Sequence, residues 1–404
     1  MVLLTIASFL LLGGSALGGG VVSGSVDRIS GIVWAWGAGG HGELGNGGTD
    51  SSDVPVQVSN LSSVVAIAAG TGDAGYTAYA LLGNGTVWAW GFGANGQLGN
   101  GSKPQSSDVP VEVHGLAHVL AIAAGGDQGY ALRNDGTVWA WGRGGYGELG
   151  NGKQSSLYAS AVPVEVHKLT HVVAIAAGGA TGYALRSDGT VWAWGYGYEG
   201  QFGNGSTGSS ALPVQVHMPV EKDKRTHIVA IAEGGRGTGY ALRSDGTVFA
   251  WGRGDAGELG NGRYGNSKVP VVVHKLTRVK AIASGIGTAY AIRRDGTLWA
   301  WGDNENGELG NGGASRSNVP VQVHNLANVR AIAGGNVTGY ALLENGTVWG
   351  WGYATKGGLG TGGCPTPTTC RDSNVPVEID SSLAGSVAIA AGGETAYSIV
   401  AGHG

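Results

Sequence analysis

Apolar residues in this chain come in short runs broken by glycine-rich stretches, and the pattern recurs along almost its whole length. In the copy beginning at Val172, Val173-Ala174-Ile175-Ala176 is one run, ended by Gly178-Gly179. Tyr183-Ala184-Leu185 is the second, Asp188-Gly189 a turn, Thr190–Trp194 the third, and Leu212–Val216 the fourth. Runs of this length, rich in β-branched and aromatic residues and bounded by Gly, Pro, Asn and Asp, predict strands. The third run is the most constant. Val87-Trp88-Ala89-Trp90-Gly91 has counterparts beginning at Val33, Val138, Val191, Val248, Leu298 and Val348, 50 to 57 residues apart. All 13 Trp lie in these copies, and Phe249 fills the one vacant Trp slot. Spacings of this size belong to propeller repeats, which overrides the two or three domains that 404 residues would otherwise suggest.

Between the second and third runs stand Asn84-Gly85, Asp135-Gly136, Asp188-Gly189, Asp245-Gly246, Asp295-Gly296 and Asn345-Gly346. Such dipeptides predict type I′ hairpins. Because Asp and Asn interchange, the role is backbone geometry and not carboxylate chemistry. The fourth run always carries proline: Pro55, Pro110, Pro163, Pro213, Pro270, Pro320 and Pro376. Proline cannot donate to a ladder, so this run is predicted to be the outer edge of a four-stranded unit. The fold class expected is all-β: a seven-bladed propeller of four-stranded antiparallel blades. Both Trp of each motif are expected to face one way and bury about 150–250 Å² apiece against the next blade. The chain enters at a third strand (Ile32–Trp36) and finishes with a first and second (Val387–Ala391 and Ala396–Val400). N- and C-terminal strands together therefore close the ring; Val26–Gly31 competes for the slot given to Ala396–Val400.

These motifs carry a resemblance. Asp-Gly-Thr-Val-Trp-Ala-Trp-Gly (Asp135–Gly142), Gly-Gln-Leu-Gly (Gly96–Gly99), Val-Pro-Val and Ile-Ala-Ala-Gly resemble the RCC1 family (regulator of chromosome condensation repeats) over about residues 25–404. The resemblance implies a seven-bladed propeller that serves as a protein-binding scaffold. Family members include a guanine-nucleotide exchange factor for a small GTPase, a light receptor and a secreted β-lactamase inhibitor, so the fold does not settle function. Family members often have His shortly before the second strand; here the slot holds Gln128, Thr181, Thr238, Thr288, Thr338 and Thr395. That departure weakens the exchange-factor reading, and no catalytic residue is carried over. Every Trp sits in a blade motif, which speaks against photoreception.

Composition narrows the function classes. Glycine is 80 of 404 residues, charged residues are 13%, and the net charge is −4. Without a basic surplus to neutralise phosphates, nucleic acid is not an expected partner. No segment is long and apolar enough to read as a membrane span. Residues 1–24 read as an apolar leader: Val2–Leu12 is nearly continuous hydrocarbon followed by small residues, as in an export signal, although no Lys or Arg precedes it. The rival readings are a fragment of a longer chain and an apolar strand packed on the fold. Residues 25–404 are expected to form a single propeller domain. Cys364 and Cys370 are the only cysteines; in an exported protein they would close a short disulfide loop, while zinc would need a second ligand pair. The expected localisation is secreted or cell-surface.

Candidate chemistry is sparse. Gly91–Gly96 spells GxGxxG, but a turn and a strand follow it, not the helix that binds pyrophosphate. Glu43, Glu148, Glu258 and Glu308 share a slot with Gln97, Gln201 and Gly358. A general acid must titrate, so loop bracing is the better reading. His114, His167, His217, His274 and His324 follow the fourth strand, and His118, His171 and His227 precede the first; they read as repeated connectors, not metal ligands. No cofactor, metal or catalytic triad is expected.

Recognition is expected where slots vary while their neighbours do not. The residues leaving the third strand gather on one propeller face: Phe92, Arg143, Tyr146, Tyr196, Tyr198, Arg253, Asp303 and Tyr353. Aromatic and Arg residues are favoured interface anchors. The charged insertion Glu221–Arg225 is a second candidate. The expectation is thus a monomeric, non-enzymatic module that binds a protein through one loop face. The alternatives are a GTPase exchange factor, an enzyme with a polar cluster near the central channel, and a purely structural surface protein.

Overall fold

The apolar runs do form strands. A computed structural model describes residues 31–71, 76–219, 226–364 and 370–402, with 28 strands among them. The leader, residues 26–30 of the competing stretch and the insertion 221–225 lie outside the described residues. Blade three shows the plan: Val172–Gly178, Thr181–Arg186, Val191–Gly195 and Ser210–Gln215 pair in that order, antiparallel throughout. Blades one, two, four, five and six repeat it, with first strands beginning at Val64, Val119, Ile228, Val279 and Val329. The proline-bearing strand is outermost each time.

Blade seven is built from both ends of the described chain. Ser386–Gly392 and Thr395–Ala401 supply its inner strands, Gly31–Gly37 and Ser52–Gln57 its outer ones. Thr395–Ala401 pairs with Gly31–Gly37 in unbroken register from Gly31–Ala401 to Gly37–Thr395. First strands of successive blades lie side by side around the ring, and blade seven returns to blade one.

Two sequence expectations need correction. The hairpins are not type I′. Only the Gly of each Asx-Gly pair has positive φ, such as Gly189 at 81°, and its amide donates to the carbonyl three residues back (Gly189 to Arg186, 2.9 Å). This is a type I turn followed by a left-handed glycine. The Asx residue keeps negative φ because its carboxylate or amide oxygen accepts the next Thr amide, as Asp188 does from Thr190 at 3.0 Å.

Nor do both Trp of each motif bury alike. The second (Trp36, Trp90, Trp141, Trp194, Trp251, Trp301, Trp351) is fully buried and stands edge-to-face on a Tyr of the preceding blade, with centroids 5.5–6.1 Å apart. The first stays half-buried. In Trp139, Trp192, Trp299 and Trp349 its indole reaches the Thr two residues back, at 3.0–3.3 Å, and Arg133 and Arg293 lie over Trp139 and Trp299, whereas Trp88 Nε1 is buried without a partner. It packs at the margin of the same inter-blade clusters as the second, Trp192 against the cluster that holds Trp194 with Tyr130 and Leu132 of the preceding blade.

Candidate functional site

The loops between first and second strands and those between third and outer strands open on one face. The glycine ending each Trp-Ala-Trp-Gly joins them. Gly195 has φ of 100°, and a Cβ there would lie 2.3 Å from the Ala180 carbonyl of the inner loop. The Thr slot that departs from the family pattern has its own task. The hydroxyls of Thr181, Thr238 and Thr288 donate to the carbonyls of Tyr196, Arg253 and Asp303 at 2.9–3.2 Å. Thr77 does the same for Phe92. The variable loop residues are thus fixed by their backbone, and their side chains are left to project.

The Glu/Gln slot braces the outer loop. Each side-chain oxygen accepts the amide two residues earlier, at 2.6–2.9 Å from His41, Asn95, Tyr146, Glu199, Ala256 and Asn306. Burial raises the carboxyls of Glu43, Glu258 and Glu308 above their usual range and pushes Glu148 up to about 6. The backbone carbonyl of the same residue is a latch between blades. It accepts the Tyr hydroxyl of its own blade and the buried Trp Nε1–H of the next. For Glu148 these are Tyr130 at 2.9 Å and Trp194 at 2.8 Å.

The structure brings four predicted residues into one patch. The Arg143 guanidinium stands 5.8 Å over the Tyr146 ring; Tyr146 meets Tyr196 edge-on at 5.2 Å; Tyr196 meets Tyr198 at 5.2 Å. The ladder crosses from blade two to blade three, with Tyr146 40% and Tyr198 59% exposed. Burial, then the charge of Glu199, raises the Tyr196 phenol. The remaining predicted residues have no ring contact with it, although the Arg253 charge is felt by Tyr196. Phe92 meets His41 at 5.3 Å, Arg253 pairs with Asp255 at 3.7 Å, Asp303 with Arg236 at 3.9 Å, and Tyr353 is half-buried in its own loop.

Sequence reasoning missed the inner loops. Asp127, 3.8 Å from Arg143 and bonded by Asn95 and Gln97, anchors the ladder from beneath. Lys356 pairs with Glu394 at 2.7 Å across the blade six–seven seam. The signal was a second variable slot, just before each second strand. It also missed Glu233, which replaces an Ala of the Ile-Ala-Ala-Gly run and is buried in the innermost ring. His118 and His171 are turn residues: they share a left-handed slot with Ser63, Arg278 and Asn328.

Cys364 and Cys370 are disulfide-bonded, with Cα atoms 4.9 Å apart. The Cys364 amide donates to Asp53 at 3.0 Å, tying the blade six loop to the outer strand of blade seven.

With this geometry in view, the model of the RCC1-like domain matches residues 116–403, and that of the regulator of chromosome condensation (RCC1) repeat matches residues 30–72 and 84–132. The chain belongs to the RCC1 family. Over 258 residues it is 31% identical to the human E3 ubiquitin-protein ligase HERC2, covering 63% of this chain and 5% of that one. Over 255 residues it is 31% identical to the ultraviolet-B receptor UVR8 of Arabidopsis thaliana, covering 62% of this chain and 55% of the receptor. The RCC1 homology thus spans little to about half of these relatives' length. The structure of Prp20p from Saccharomyces cerevisiae superposes with a TM-score of 0.77 at 21% identity, covering 92% of both chains. That likeness shows the RCC1 propeller fold.

Proposed function

We propose that this propeller is a non-catalytic protein-binding module, secreted or displayed at the cell surface, and that it engages its partner through the Arg143–Tyr146–Tyr196–Tyr198 ladder. The observation that carries the reading is the ladder itself. Tyr rings present large contact area at low rotamer cost, and each is held here by its neighbour before a partner arrives. The Prp20p structure was studied together with its binding to Gsp1p and histones, so a relative of this fold engages proteins. The disulfide supports an oxidising compartment.

The test is capture of partners from extracellular and cytosolic fractions, comparing the native chain with Tyr146→Ala/Tyr198→Ala. Both rings are exposed, so the variant should melt as the parent does. A discrete extracellular protein lost with the variant supports the reading; equal capture by both forms refutes the site. The exchange-factor alternative is measured in the same preparation, as accelerated nucleotide release from a purified small GTPase.

A further inference from the structure

The first strands form the innermost ring, and the residue before the terminal glycine of each run occupies equivalent positions. Six occupants are small: Ala69, Ala124, Ala177, Ser284, Gly334 and Ala391. The seventh is Glu233, 1% exposed, and neither of its carboxylate oxygens has a hydrogen-bond partner. Its Oε2 lies 1.7 Å from the point a Cβ on Gly178 would occupy, so the bare glycine of blade three makes room for it. The Thr71 hydroxyl, from blade one, is 3.0 Å from that same point and is also buried without a partner. Two oxygens from blades one and four therefore converge over blade three.

Main-chain acceptors lie beside the place, and its hydroxyls, Thr71 and the buried Ser284 of blade five, can also accept. The Thr71 carbonyl takes the Gly179 amide at 2.8 Å, and the Gly179 carbonyl takes the Gly126 amide at 2.7 Å, each with a second lone pair remaining. Among the described residues no basic side chain pairs with Glu233, and burial pushes its carboxyl well above the usual range. A dry carboxylate is strongly disfavoured unless a positive charge, a proton or a cation, joins it.

We infer that Glu233 anchors a site for a desolvated monovalent cation, sodium or potassium, with the Thr71 hydroxyl and neighbouring carbonyls as neutral oxygen donors. Hard oxygen donors select alkali and alkaline-earth ions. Charge selects between them. One carboxylate with one monovalent ion leaves the interior neutral, whereas a divalent ion would leave a net positive charge in the same dry space. Among the described residues no group of three or more His, Cys, Asp or Glu side chains gathers to hold a divalent ion.

The experiment is thermal unfolding of the full chain at constant ionic strength in sodium, potassium or tetramethylammonium chloride, the last too large to enter. Ion at a hundredfold excess over its dissociation constant should raise the melting temperature by about 3 °C for a chain of this size. Glu233→Ala places in blade four the residue that blades one, two, three and seven already carry, so it should fold; its melting should be the same in all three salts. Thr71→Val, which removes only the neutral oxygen, should shrink the sodium or potassium gain. Three results would overturn the site: a parent indifferent to the salt, a gain that survives Glu233→Ala, or stabilisation by calcium or magnesium with none by the alkali ions. A parent stabilised only by acid would also overturn it, showing that a proton neutralises the carboxylate.

Discussion

Replacing Glu148 by Gln tests the latch loops quantitatively. The Glu148 side chain is 1% exposed; one oxygen takes the Tyr146 amide at 2.6 Å and the other has no partner. Burial lifts its pKa from 4.5 to about 6, opposed mainly by the two backbone bonds and the Arg143 charge. The folded state therefore holds this proton more tightly than the unfolded chain. The penalty is absent below the unfolded pKa, grows as pH rises, and is complete above the folded one. At about 1.36 kcal/mol per pKa unit, it reaches about 2 kcal/mol by pH 8. Gln97 and Gln201 make the same backbone bond at 2.9 and 2.8 Å, so the loop accepts the amide. Glu148→Gln should match the parent at pH 4 and exceed it by about 2 kcal/mol at pH 8. Urea unfolding of both proteins at both pH values cancels every other titration. A gap that is equal at the two pH values, or larger at pH 4, would refute the argument.

Trp194→Phe keeps the ring against Tyr130 but deletes the 2.8 Å bond to Glu148, and should cost about 1–2 kcal/mol in urea unfolding; Trp194→Ala should cost about 3–5. Gly150→Ala meets both a φ of 61° and the Trp194 indole 3.0 Å away, whereas Gly101→Ala has φ of 84° and nothing within 4 Å. Thermal melts should show the first clearly worse than the second, whose cost is conformational and about 1 kcal/mol. Cys364→Ser/Cys370→Ser opens a short loop and should lose about 2 kcal/mol at most, with melting no longer sensitive to reductant.

The fold was legible because its devices repeat. Seven prolines marked seven outer strands, and seven aromatic pairs marked seven third strands. What stayed hidden arises between repeats. Trp192 and Trp194 share a face, as strand alternation requires, but Tyr130 and the Glu148 carbonyl of the preceding blade close over Trp194, and alternation does not reveal that. The turn type depended on the Asp188 side chain competing for the Thr190 amide, which the dipeptide alone does not reveal. The ladder was half legible. Its residues stood out as variable slots, but their spacing around a ring is a tertiary quantity, and only Arg143, Tyr146, Tyr196 and Tyr198 come together. Glu233 was visible as one acid in a run of alanines; its convergence with Thr71 was not.

The slot at Gly358 separates architecture from recognition. It has no side chain to brace its loop, yet its carbonyl still accepts Trp36 at 3.1 Å and the Tyr340 hydroxyl. The bracing is done instead by a single turn, Thr355–Gly357, with the Gly357 amide on Ala354 at 3.0 Å. The latch is therefore a property of the main chain, and the side chain beneath it is exchangeable among Glu, Gln and nothing. The same logic holds one step outward, where Thr hydroxyls grip the carbonyls of Tyr196, Arg253 and Asp303, so the loops are fastened without using those side chains. A scaffold fastened through backbone carbonyls can change the chemistry of its loop face without loosening the ring. That is how one propeller fold can serve unrelated partners.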